Sequence, residues 1–245
     1  MEALTLIEQQ SNQKPEEKTN SQSTQKLKQK IIAVIPAYNE EKYIQKVVEE
    51  TKKYVDDVIV VDDASKDNTN QLAKQAGAIV LRHEVNLAKG GALKTGCDAA
   101  IQLGADIIVT LDGDGQHDPN EIPKLINGLE EHELVIGARK FNENMPIQSK
   151  IGNITLSKFS KMLFHTNISD TQTGFRAFKS SAYSKILWES TGYEVETEMI
   201  KNINKNKVDF LEVEVKTIYN DNYKGTTPMD GAKIALNMIK WRAKQ

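Results

Sequence analysis

IIAVIPAYNEEKYIQKVVEETKKYVDDVIVVDDAS, residues 31–65, decides the fold class of this chain. The β-branched run IIAVI gives way to helical spacing from Asn39 to Lys53, and VIVV at 58–61 closes the unit. Strand, helix, strand in that order predicts a crossover between parallel strands. The cadence continues with AIVL at 78–81, DIIVTL at 106–111 and ELVIGA at 133–138. Between these runs the spacing predicts helices over Asn68 to Gln75, Leu87 to Leu103 and Pro119 to Glu131. Runs this uniformly apolar suit strands covered on both faces, so the pattern predicts an α/β fold with a mostly parallel central sheet flanked by helices. Gly77 and Gly104 stand where helices should stop, while Asp118, Pro119 and Glu121 mark a start.

Outward from that frame the pattern changes. Residues 141–166 open with the polar stretch FNENMPIQSK and continue as an amphipathic helix carrying Ile151, Ile154, Phe159, Met162 and Leu163. A short strand near Phe175 to Lys179, helices near Ser181 to Trp188 and Val195 to Asn204, and the alternating strand KVDFLEVEVK at 207–216 follow. Residues 1–30, rich in Gln, Asn, Ser, Thr, Lys and Glu, are expected to form a disordered polar tail. Residues 31–228 are expected to form the working domain, and 229–245 a basic amphipathic helix.

With 245 residues, 39% hydrophobic and 27% charged, the composition is that of a globular protein. A net charge of -2 leaves no cationic excess for a nucleic-acid backbone, so nucleic acid is not expected as a partner. The single cysteine, Cys97, excludes an internal disulfide framework and a multi-thiolate zinc site. No apolar run is long enough to span a bilayer and no secretory leader is legible, so the expected location is cytoplasmic, with room for peripheral contact at the cytoplasmic membrane face.

In an open parallel sheet, ligands collect beyond the carboxyl ends of strands. There the chain places Pro36, Ala37, Tyr38, Asn39 and Glu40; then Asp62, Asp63, Ala64 and Ser65; then Asp112, Gly113, Asp114, Gly115, Gln116 and His117. Taken singly, Asn39 could cap a helix and Asp62 with Ser65 could form a turn. Acids at successive strand ends repel one another unless a cation compensates. Asp112 and Asp114 share one face of an extended segment, with Gly113 leaving room for a ligand, and with the Gln116 carbonyl they suit Mg²⁺ or Mn²⁺. His117 is expected as a neighbour of that site. NLAKGGALKTG at 86–96 fails as a P-loop, since Cys97 and Asp98 stand where Lys and Ser or Thr belong. Asn86 should cap a helix there, Gly90 and Gly91 allow close approach, and Lys89 either meets a phosphate or is a plain surface lysine.

Taken in order, IPAYNE at 35–40, VVDDASKDNT at 60–69, NLAKGGALKTG, LDGDGQHDP at 111–119, GAR at 137–139 and DTQTGFRAF at 170–178 resemble the inverting family-two glycosyltransferases, above all dolichyl-phosphate mannose and glucose synthases. The resemblance implies a Rossmann-like, nucleotide-sugar-binding fold of GT-A type. It implies a sugar moved from a UDP- or GDP-hexose to polyprenyl phosphate; the alternatives are a glycan hydroxyl acceptor or a binding protein without catalysis. It implies donor contacts at Pro36, Ala37, Tyr38, Glu40, Asp62, Asp63, Lys89, Asp112, Gly113 and Lys224, the last in a loop closing over phosphate. It implies a metal site of Asp112, Asp114 and Gln116 and catalytic roles for Asp170, Arg139 and Arg176. Arg139 would face phosphate, and Arg176 would lie on the acceptor side or bridge Asp170. Of Glu194, Glu196 and Glu198, one should point inward. Ala64 and Ala88 depart from the family, standing where glycine is common, and the C-terminal membrane helices of many relatives are missing.

Asp170 would be a general base for a hydroxyl acceptor, or only a positioning group for a phosphate already ionised at neutral pH. Ile151 to Phe164 and Met229 to Trp241, the latter flanked by Lys240, Arg242 and Lys244, are the segments expected to touch a membrane.

Overall fold

A computed structural model describes residues 28–139, 147–164, 166–218 and 228–243, with backbone alone for 147–151 and 228. Seven strands form one sheet: β1 (Ile31–Ala37), β2 (Asp57–Asp62), β3 (Ile79–Arg82), β4 (Ile107–Thr110), β5 (Leu134–Arg139), β6 (Arg176–Lys179) and β7 (Phe210–Val215), in the order β3-β2-β1-β4-β6-β5-β7. The pairs β1–β2, β2–β3, β1–β4 and β5–β7 are parallel. β6 runs antiparallel to both β4 and β5, so β5 joins the sheet only through it. The helices are α1 (Ile44–Thr51), α2 (Thr69–Gln75), α3 (Ala88–Gln102), α4 (Ile122–Gly128), α5 (Ile147–Phe164), α6 (Ser180–Ile186), α7 (Val195–Lys205) and α8 (Pro228–Ala243). Residues 1–27, most of the expected tail, and Lys224 with its loop lie outside the described residues.

The apolar runs are continuous because each strand serves two cores. Ile32, Val34, Ile59 and Val61 face α3, α6 and α7, meeting Ala92, Cys97, Ile186 and Ile200. Ala33, Ile35, Val58 and Val60 face α1 and α4, meeting Ile44, Val48, Ile122 and Leu125. Consecutive side chains alternate between layers, and removing all of them from water supplies the main stabilisation of the sheet. α3 crosses at Gly96, where a Cβ would overlap Val34 Cγ1. Gly96→Ala is therefore expected to destabilise by about 1–3 kcal/mol, measured by urea denaturation, against the usual gain of alanine within a helix.

Gly77 and Gly104 end their helices with φ of 83° and 76°, as their places in the sequence predict. Ala64 and Ala88, with φ of 63° and 62°, hold the same left-handed geometry without glycine's freedom. Asn39, φ 55°, does not cap α1; its Oδ1 accepts from Lys66 N at 2.8 Å, tying the ends of β1 and β2 together. Asp118 caps a 3-10 turn, Pro119–Glu121, that precedes α4.

Candidate active site

The loops after β1, β2 and β4 meet the start of α3 along one sheet edge. Asp63 N donates to Ala37 O at 2.8 Å, drawing the first two strand ends together. Gly113 lies against the end of β1, where a Cβ would stand 3.4 Å from Pro36 O and Ala37 Cβ. Tyr38 is exposed beside them and Glu40 half-buried.

The two neighbouring acids of β2 have separate employment. Asp62 Oδ1 accepts from Ser65 N at 3.0 Å and Oδ2 pairs with Arg82 at 2.5 Å, so its buried carboxylate builds the turn, as the plainer reading of that motif holds. Asp63 Oδ1 accepts from Leu87 N at 2.8 Å and meets His83 Nδ1 at 2.7 Å, while His83 Nε2 meets Thr95 Oγ1 at 3.0 Å. Asp63 is thus the acid that ties β2 to the start of α3. Asn86 supports that start, accepting from Ala88 N at 3.0 Å.

Lys89 is neither a plain surface lysine nor poised toward solvent. Its Nζ lies 2.7 Å from Asp112 Oδ1 and 2.7 Å from Glu196 Oε1. Burial would discharge it, but the two carboxylates outweigh burial and raise its pKa. Burial likewise pushes the Asp112 carboxyl up, and Lys89 overcomes this and holds it below its usual range. For Asp114 the balance falls the other way: burial, then the charge of Asp112, outweigh the lowering by the Gln116 N–H and by Lys89 and push it up to about 7. Gln116, expected as a third ligand, also orients Asp114, donating from its backbone N at 3.0 Å and its side-chain Nε2 at 2.7 Å. Its backbone carbonyl accepts from Ile218 N at 2.8 Å.

Among the described residues no cluster of three or more His, Cys, Asp or Glu could hold a metal. The donor set present is a carboxylate pair, one member of which is raised to about 7 by burial and by the charge of the other. That set fits Mg²⁺ or Mn²⁺, which characteristically take one or two carboxylates and fill their other positions with water and substrate phosphate.

His117 adjoins the pair without joining it: Asp112 N donates to Nδ1 at 3.0 Å, and the ring stacks on Phe175 at 5.0 Å. Burial lowers its pKa to about 4. Asp114 and His117 then oppose each other in one pH window. The raised Asp114 pKa gives stability that is present below pH 4 and lost as pH climbs through 7; the depressed His117 pKa gives stability that is present above about 6.5 and lost as pH falls to 4. Asp114→Asn removes the first effect, so its melting temperature should fall steeply from pH 6.5 to 4 while the parent protein's profile stays flatter.

Across the site, Arg139 and Asp170 form a bidentate pair, Nε to Oδ2 at 2.6 Å and Nη2 to Oδ1 at 2.7 Å. Asp170 is fully buried, and although burial pushes its carboxyl up, Arg139 wins and holds it low. Gln172 N also donates to Oδ1 at 3.2 Å, and Glu212 Oε1 accepts from Ser169 N at 2.9 Å, fixing the segment to β7. The bridge expected from Arg176 is therefore made by Arg139. Arg176, 1% exposed, is not on an acceptor surface; it donates to Thr173 O and Glu196 O, both at 3.1 Å, and holds that segment to α7.

Glu196 is the acid of the YEVETEM stretch that reaches the site. Glu198 is equally buried but accepts from Ser190 N at 2.9 Å and pairs with Lys201 at 3.1 Å. Gly174 escaped the sequence reading: a Cβ there would come 3.0 Å from both Asp112 Oδ1 and Lys89 Nζ. Gly90 packs as closely, with its N bonded to Thr191 O at 2.5 Å.

The family model described as "Glycosyl transferase family 2" matches residues 32–187. The chain is 39% identical over 238 residues to UDP-N-acetylglucosamine–dolichyl-phosphate N-acetylglucosaminyltransferase of Methanococcus voltae, covering 85% of this chain and 94% of that protein. It is 27% identical over 228 or more residues, covering 86% of this chain, to each of two further relatives. One is the undecaprenyl-phosphate mannosyltransferase of Micrococcus luteus, of which 93% is covered. A crystal structure of glucosyl-3-phosphoglycerate synthase from Mycobacterium tuberculosis, in complex with Mg²⁺ and uridine diphosphate, superposes with a TM-score of 0.68 at 20% identity, over 88% of this chain and 80% of that one. At that identity the likeness establishes the GT-A-type fold.

Proposed function

Since this chain belongs to glycosyl transferase family 2, and is a glycosyltransferase on that ground, we propose that it moves a sugar from a nucleotide-diphosphate donor to a polyprenyl phosphate, with divalent-metal assistance and inversion at the anomeric carbon. The observation that carries this reading is the carboxylate pair after β4, with Asp112 kept ionised by Lys89 and Asp114 lifted to about 7 beside it. Asp112 and Asp114 would hold the metal, which when bound neutralises charge on the departing nucleoside diphosphate. Pro36, Ala37, Tyr38, Glu40, Asp63 and Gly113 line the edge where the nucleoside would lie. Lys89 keeps Asp112 charged and ready, and Lys224 would reach the donor phosphates.

Asp170 selects between acceptors. Both its oxygens accept from Arg139 and its pKa is held low, so it is a poor proton acceptor. An acceptor hydroxyl would need a base; a phosphate monoester, with a second pKa of about 6, arrives as the oxyanion. The pair therefore supports a phosphate acceptor, with Asp170 positioning Arg139 rather than moving a proton. The names of the relatives from Methanococcus voltae and Micrococcus luteus support the same acceptor class.

The test is to incubate the purified protein with Mn²⁺, radiolabelled UDP- and GDP-sugars, and either polyprenyl phosphate or the corresponding polyprenol. Label should enter the organic phase with the phosphate alone. Equal labelling of the polyprenol, or of a water-soluble glycan in place of lipid, would contradict the proposal.

A further inference from the structure

α8 is apolar on two sides. Its inner side is consumed by the fold: Ile234 and Met238 are buried with Leu156 and Phe164 of α5, and Trp241 packs beside them under Lys201 at 4.8 Å. The outer side carries Met229, Leu236 and Ile239, exposed to 71%, 58% and 51%, with Ala232 and Ala243 exposed as well. Steps of three and four residues put these five on one line along the helix. Lys233, Lys240 and Arg242 are exposed around that line, with the acid Asp230 at the helix start.

We propose that this outer face of α8 seats the protein on an anionic lipid bilayer, lying in the interface with its apolar line among the acyl chains. Charge complementarity selects that occupant. A second copy docking the same face on itself would bring Lys233 and Lys240 of each copy together, whereas anionic headgroups accept both. No helix among the described residues is long and apolar enough to cross a membrane, so the contact is a surface one. The use of the surface, delivery of a lipid-borne acceptor to the candidate active site, rests on the function proposed above; its geometry does not.

The experiment is flotation of the full chain with phosphatidylglycerol-rich or pure phosphatidylcholine vesicles, alongside sedimentation equilibrium and transfer to a short-chain, water-soluble polyprenyl phosphate. The parent protein should float with the anionic vesicles and stay behind with the neutral ones. A Leu236→Glu, Ile239→Glu double variant should lose roughly tenfold or more of that binding, and Lys233→Glu with Lys240→Glu should lose it on anionic vesicles. Both variants should keep the parent's circular dichroism. The soluble acceptor should still turn over within about twofold, since neither pair touches the catalytic edge. Failure of the parent to float, equal flotation of the Leu236/Ile239 variant, or a parent dimer that this variant dissociates would each overturn the proposal. Flotation as expected without transfer to any polyprenyl phosphate would leave the docking surface standing and overturn the function instead.

Discussion

Asp112→Asn lowers kcat/KM for sugar transfer by about a thousandfold or more, equivalent to roughly 4 kcal/mol of transition-state stabilisation. The substitution removes one of the two carboxylates that would hold a divalent cation against the donor diphosphate, and it separates Lys89 from one of its partners. The fold should survive, because Lys89 keeps Glu196 at 2.7 Å and the amide of residue 112 still donates to His117. Asp114 should meanwhile ionise more readily, since the charge of Asp112 is the second cause of its raised pKa. Steady-state kinetics across a Mn²⁺ series, with urea denaturation of the same preparations, separates the two effects. A loss confined to turnover agrees with the assignment; a loss of less than about tenfold at saturating metal disagrees with it.

Asp170→Ala destabilises the protein by about 3–5 kcal/mol, because it takes from the largely buried Arg139 guanidinium the carboxylate that holds it bidentately. The Arg139→Met, Asp170→Leu double variant should recover most of that loss, since an apolar pair of similar volume avoids the desolvation of both ions. Transfer should not recover, because under the proposed function Arg139 is the cation that Asp170 positions toward phosphate. Chemical denaturation gives the stabilities and the label-extraction assay gives the activity. If the double variant were active, Arg139 would be a structural strut and nothing more. The pair also leaves a signature in acid: the depressed Asp170 pKa contributes stability above the ordinary aspartate value near 3.9, lost as pH falls through the lower folded value. That loss is absent from the double variant.

The sheet was legible because its inner strands are buried on both sides. Runs such as Val58–Val61 admit no other placement, and Gly77 and Gly104 declare the ends of their helices through a backbone angle that few residues tolerate. The reversal of β6 was not legible, since periodicity gives a strand's faces and not its direction. The site was legible where a motif is contiguous: Asp112, Gly113 and Asp114 lie together at one strand end. It was opaque where partners come from distant elements. Nothing in NLAKGGALKTG announces that Lys89 is spanned by Asp112 and Glu196, and nothing in GAR or DTQTGFR tells that Arg139, not Arg176, grips Asp170. Gly174 shows its purpose only when Asp112 and Lys89 are seen pressed against it. Ala64 and Ala88 mark the opposite case, since their left-handed angles explain why glycine suits those positions.

The most direct measurement is a calorimetric titration of UDP and GDP into the protein with Mn²⁺ or with chelator, at pH 8 where Asp114 is ionised. One nucleotide should bind with Mn²⁺ and lose at least roughly tenfold in affinity on chelation, and Asp112→Asn and Asp114→Asn should each abolish that metal-dependent gain. Equal affinity with and without the metal, or an undiminished gain in both variants, would contradict the account.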